Sequence, residues 1–219
     1  MIIRYFFKIE IQTCNSIFVN LKHIITNMTK ARLEAFSDGV LAIIITIMVL
    51  ELKVPHGSDW VHLKPLLPVF ISYVLSVVFI GMYWGNHHHL IHTVSRVNSK
   101  IIWANLHLLF WLSLIPFVTA WMGENNFETL PVAMYGVLLC FSGIAYHILQ
   151  QVIMSQYTQS SKLIEAIKKH KAKGIISTII YTASVPLAFV HTGISAVMFI
   201  CIAILWIVPD KNIEEAVED

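Results

Sequence analysis

The sequence predicts an all-α integral membrane protein, on its share of apolar residues, the length of its apolar runs and the lack of alternation within them. Of 219 residues, 57% are hydrophobic and only 13% charged, with mean hydropathy +0.70; about 25% charged residues is usual for a soluble domain. Apolar runs of about 20 residues can cross a roughly 30 Å hydrocarbon layer as helices. Barrel strands would alternate apolar and polar side chains, and these runs do not.

Six spans follow in order: residues 36–52, 66–84, 101–121, 130–153, 175–190 and 194–208. The first opens a helix-length run, ARLEAFSDGVLAIIITIMVLEL, in which Arg32, Glu34, Ser37 and Asp38 precede an apolar stretch. Ionisable groups in a spanning helix are costly in hydrocarbon, so they face protein, water or one another. Beyond Asp38, the residues Ile43, Thr46, Ile47 and Leu50 follow i, i+3, i+4, i+7 spacing and form one helical stripe. The second span begins near Pro68, which fits an early-turn position, and Pro116 inside the third predicts a kink. Pro55, Pro65, Pro131, Pro186 and Pro209 lie near span ends or bends. The fifth and sixth spans are separated by His191, Thr192 and Gly193, and so predict a tight hairpin.

Orientation follows from the basic residues, which favour the cytoplasmic side of the spans. With the N-terminus inside, Lys30, Arg32, Arg96, Lys100 and the run Lys162, Lys168, Lys169, Lys171 and Lys173 are cytoplasmic, the last group in a solvated loop. The other side keeps Lys53 and Lys64 beside Glu124 and Glu128. Both termini are therefore expected in the cytoplasm. The net charge of +2 reflects topology, and no nucleic-acid partner is needed to explain it.

Three segments are expected: an N-terminal extension (1–28) that is either interfacial or upstream of a natural start at Met28, a six-helix unit (29–209), and an acidic cytoplasmic tail (210–219). The extension has no run long enough to span and no small-residue cleavage site. Cys14, Cys140 and Cys201 are isolated thiols, neither a disulfide framework nor a zinc pattern.

Asp38 lies five residues before Ile43, about 140° around the helix, and so points away from the stripe toward neighbouring helices. A buried carboxylate there needs a donor, and Trp84, Asn86, His88 and Asn105 are candidates. The histidines His87, His88, His89 and His92 include i, i+3 and i+4 pairs of the kind that bind transition metals, but the spans offer no carboxylate partner near them, so no metal is expected. His107 and His147 are expected to be satisfied polar contacts between helices.

The spacing Arg32, Phe36, Ser37, Asp38, together with Tyr83-Trp84-Gly-Asn86-His87-His88 and Asn105-Leu-His-Leu-Leu-Phe-Trp-Leu-Ser-Leu-Ile-Pro116-Phe, closely resembles the endosomal and lysosomal potassium channel family, the transmembrane protein 175 family. The resemblance covers all six spans. It implies a bacterial, single-repeat, homotetrameric cation channel in the plasma membrane, with the first helix lining the pore, no cofactor and permeant potassium. It further implies a constriction at Ile43 with further rings at Ile47 and Leu50, a selectivity-related threonine at Thr46, and a polar cluster behind the pore helix formed by Arg32, Phe36, Ser37, Asp38, Trp84, Asn86, His87, His88 and Asn105. The residues agree independently with stacked apolar rings that gate by dewetting. No Thr-Val-Gly-Tyr-Gly filter is present, and nothing suggests an enzyme. The alternatives are a secondary transporter, which would show inverted repeats or broken helices in matched halves, and a histidine-site metal carrier.

Overall fold

The structure, a computed structural model, describes residues 28–156 and 161–207. All of the N-terminal extension but Met28, the acidic tail, Cys14 and Pro209 lie outside the described residues, as do the side chains of Lys162, Lys168, Lys169 and Lys171. The described residues are helical, without strands.

The helices are α1 (Lys30–Leu50), a short α2 (Trp60–Leu63), α3 (Leu67–His92), α4 (Ser99–Ser113), α5 (Ile115–Glu124), α6 (Thr129–Met154), α7 (Ser161–Ala188) and α8 (Thr192–Ile207). Four stretches, Lys30–Leu50, Trp60–His92, Ser99–Glu124 and Thr129–Met154, are long and apolar enough to cross a membrane. Ala172–Ala188 and Thr192–Ile207 are shorter apolar helices. The chain is a multi-pass membrane protein.

Local chemistry sets the boundaries. Thr29 caps α1, its side chain accepting from the Arg32 amide, and Asn98 does the same for α4 through the Ile101 amide. Pro68 sits in the first turn of α3, and Pro116 in the first turn of α5, immediately after the break at Leu114 that divides the third span. After α5 the amides of Asn126 and Phe127 bond back to the carbonyls of Gly123 and Met122, a Schellman closure with left-handed Asn126. In the α7–α8 turn the Gly193 amide donates to His191 Nδ1 at 3.0 Å.

Two expectations shift. The second span was expected to end at Trp84, yet α3 continues through His92. Its polar residues remain helical because α1 and α4 supply them with partners. The stretch holding Lys162 to Lys173, expected as a loop, belongs to the helix Ser161–Ala188.

Helix α6 is the hub, packed against α4, α5, α7 and α8. Phe79, Tyr135, Tyr181 and Phe199 meet at the centre in tilted and edge-to-face contacts with centroids 5.4–6.4 Å apart. Beside them Ser76 pairs with Thr119 at 2.6 Å and Tyr135 at 2.9 Å, joining α3, α5 and α6 through buried hydroxyls. The crossing of α3 and α5 depends on Gly123, where a Cβ would fall 2.5 Å from Ser72 Oγ and 2.6 Å from Val69 Cα. Helix α1 packs on α3, α4 and α5 along one side only.

Candidate functional site

The two sides of α1 differ sharply. Leu33, Ser37, Leu41, Ile44 and Met48 are buried against the subunit. On the opposite side Ile43, Ile47 and Leu50 are 57%, 43% and 77% exposed, whereas Ile44, one residue off that face, is 3% exposed. Thr46 is exposed on the same stripe, and its hydroxyl donates to the Ile43 carbonyl at 2.9 Å. Its oxygen lone pairs remain available on the outward side. An open apolar groove runs beside the stripe, lined by Ile43 and Ile47 of α1 and by Pro116, Phe117 and Trp121 of α5.

Behind the stripe lies a directional hydrogen-bond chain. His87 Nε2 lies 2.7 Å from Asn105 Oδ1, the Asn105 amide donates to Ser37 Oγ at 2.9 Å, and Ser37 donates to the Leu33 carbonyl at 2.9 Å. Because the Asn105 oxygen can only accept, Nε2 carries the proton, and Nδ1 of the buried ring has no partner among the described residues. Asp38 Oδ1 accepts from Trp84 Nε1 at 2.9 Å, so Trp84 is the one of the four candidates that reaches it. Asn86 donates to the Met82 carbonyl at 2.7 Å, and its own carbonyl accepts from Tyr146. The chain and the Asp38 contact thus bring together Ser37, Asp38, Trp84, His87 and Asn105. Arg32 and Phe36 stand on the exposed side of α1, apart from this network.

Glu34 brings His88 into a second cluster that the sequence reading did not foresee. Glu34 Oε1 lies 2.9 Å from His88 Nδ1 and 3.5 Å from His92 Nε2. The missed signal was the spacing. Glu34 and Asp38 are four apart on α1, while Trp84, His88 and His92 are four apart on α3. With the helices antiparallel, the Asp38–Trp84 contact fixes the register that delivers Glu34 to the histidines. His107, expected to bridge helices, pairs within its own helix with Trp111 at 2.9 Å, and His147 has Gln151 of its own helix among its partners at 2.6 Å.

Beyond the opposite end of α1, Lys53 pairs with Glu124, the last residue of α5. Its carboxylate holds the Lys53 ammonium above the ordinary lysine range.

The sequence profile of the endosomal/lysosomal potassium channel TMEM175 matches residues 32–116, which hold the stripe, the hydrogen-bond chain and the Glu34 cluster. A potassium channel of Chryseobacterium sp. (strain P1-3) is 53% identical over 192 residues, 88% of this chain and 100% of the relative. The chain belongs to the TMEM175 family. A more distant member, a potassium channel of Streptomyces collinus, is 29% identical over 75% of this chain and 84% of its own length. The family fold is also seen in the crystal structure of a lysosomal potassium-selective channel TMEM175 homolog from Chamaesiphon minutus, which superposes with a TM-score of 0.72 at 24% identity. The superposition covers 81% of this chain and 95% of that one.

Proposed function

We propose that the chain is a potassium-permeable channel of leak type, a homotetramer in which α1 lines a central pore. The observation that carries this reading is the exposed stripe of Ile43, Ile47 and Leu50 on a helix whose other side is buried. Four copies facing an axis would stack these side chains into apolar rings, a constriction that opens and closes by wetting. Ile43 forms the narrowest ring, with Ile47 and Leu50 toward the outer side. The groove beside the stripe would then take the neighbouring subunit, whose aliphatic side chains would meet Phe117 and Trp121.

Thr46 supports cations over anions. Its hydroxyl proton is committed to its own helix, so a ring of four would offer an ion oxygen lone pairs and no donors. Asp38 is turned from the stripe and held by Trp84, which supports a structural role for it and not a charged ring in the pore. The names of the relatives support the same class, a channel and not an enzyme. The placement of basic residues supports both termini in the cytoplasm, and the single six-helix unit and the bacterial relatives support a bacterial plasma-membrane protein.

The test is current through the purified full chain in a planar bilayer, under a potassium gradient and then with potassium facing sodium. A reversal potential near that of potassium, together with a current altered by Ile43→Asn, is the expected result. Silence from a folded tetramer that instead moves solute into liposomes would replace the channel with a transporter.

A further inference from the structure

Glu34, His88 and His92 offer three ligand atoms, one carboxylate oxygen and two imidazole nitrogens, all within 4.8 Å of one another. His88 and His92 are an i, i+4 pair on one face of α3, the spacing by which a helix presents two imidazoles to one ion. Glu34 arrives from a different helix. A tetrahedral ion with bonds of about 2.0–2.1 Å holds its ligand atoms roughly 3.3 Å apart. The Glu34 contacts, 2.9 Å to His88 and 3.5 Å to His92, bracket that spacing.

We propose that Glu34, His88 and His92 bind a divalent transition-metal ion of the zinc class, clamping α1 to α3. Mixed imidazole and carboxylate donors suit zinc and its neighbours and do not suit magnesium or calcium, which take oxygen ligands. The Glu34 side chain is only 20% exposed while both histidines are about half exposed. The ion therefore sits between a largely enclosed carboxylate and the solvent, which supplies the fourth ligand as water. The Lys30 ammonium donates to the His92 carbonyl at the same corner; as a nearby positive charge it opposes the metal and sets the affinity below that of a closed four-ligand site. Binding needs both imidazoles unprotonated, so protons compete with the ion. The charged and titratable groups around the site are Glu34 and Lys30 from α1, and His88, His92, the ring neighbour His89 and the buried His87 from α3. The site stands independently of the pore reading, since it rests on contacts within one subunit.

The experiment uses the full chain in detergent, freed of metal by a chelator and titrated with zinc chloride by calorimetry and with cobalt chloride by visible absorption. One ion per chain is expected, with a zinc-dependent rise in melting temperature. Glu34→Gln and His92→Gln should each weaken zinc by about tenfold or more and remove the melting shift, while His62→Gln, before the start of α3 and far from the cluster, leaves both unchanged. Because Glu34→Gln also removes a contact between helices, His92→Gln, at the more exposed position, decides if the first variant fails to fold. Zinc affinity unchanged in His92→Gln, or no saturable zinc binding by the folded wild-type chain, would overturn the site and leave the cluster as hydrogen bonding between histidines and a carboxylate.

Discussion

Phe79, Tyr135, Tyr181 and Phe199 at the centre of the subunit and Ile43, Ile47 and Leu50 on α1 are equally apolar, but their surroundings differ. The aromatic group is enclosed within one chain, edge to face, with Tyr135 anchored on Ser76. The aliphatic stripe stands open along a helix packed on one side only. In a bilayer, apolarity does not separate inside from outside, because lipid is as apolar as leucine; buried faces are marked instead by small residues and paired polar groups. By that mark the enclosed side of α1 carries Ser37 and the centre carries Ser76 and Thr119, while the stripe's one hydroxyl, Thr46, is turned back on its own helix. One region completes a subunit, and the other is left open on a single chain, as the proposed tetramer requires.

That contrast can be broken most severely at the centre. Phe79→Ala should cost about 3–5 kcal/mol, visible as a lower melting temperature and reduced yield, with ion preference unchanged in whatever assembles. A loss of selectivity with full stability would show that the aromatic centre is not a self-contained core. Next comes the pair at the boundary. Ile44→Asn places an amide in the enclosed face and should cost about 2–3 kcal/mol, whereas Ile43→Asn should leave folding nearly intact and raise conductance severalfold or reduce ion discrimination. Equal effects at the two positions, in melting and in single-channel current, would remove the distinction between the faces.

Asp38→Ala sharpens the comparison at its hinge. It deletes the acceptor for Trp84 Nε1, at a cost of about 1.5–3 kcal/mol for a charged hydrogen bond, and should lower the yield of assembled protein on size exclusion more than it changes the reversal potential. A well-assembled variant with altered ion preference would mean that Asp38 acts on the permeation path. The smallest effect belongs to the exposed Lys53–Glu124 pair. Glu124→Gln should barely lower the melting temperature, and less still at high salt.

Much of the fold was legible because run length in a membrane protein is a physical requirement. Pro116 marked the break at Leu114, and His191 to Gly193 marked the hairpin, since a missing amide and a short turn act locally. The end of α3 was not legible. His87 to His92 read as the polar close of a span, and only the register between α1 and α3 shows that Asn105 and Glu34 keep them helical. For Asp38, spacing gave the side of the helix it leaves by but not its partner. Trp84 was chosen among four candidates by the pairing of two helices, which one helix's sequence does not contain. The stripe was legible as a face. How many copies would share it in the proposed pore depends on contacts between chains, which no residue spacing within one chain encodes.

Gly123 carries a consequence for how this sequence can diverge. A side chain there would meet the backbone of α3 at Val69, an atom that cannot swing aside. At Gly81, Gly85 and Gly174 an added Cβ meets nothing within 4 Å, so a methyl there moves no helix axis within the subunit. Over long descent, position 123 should therefore hold glycine while far more apolar positions exchange freely among aliphatics, so that the slowest clock in this half of the protein ticks at a residue with no side chain.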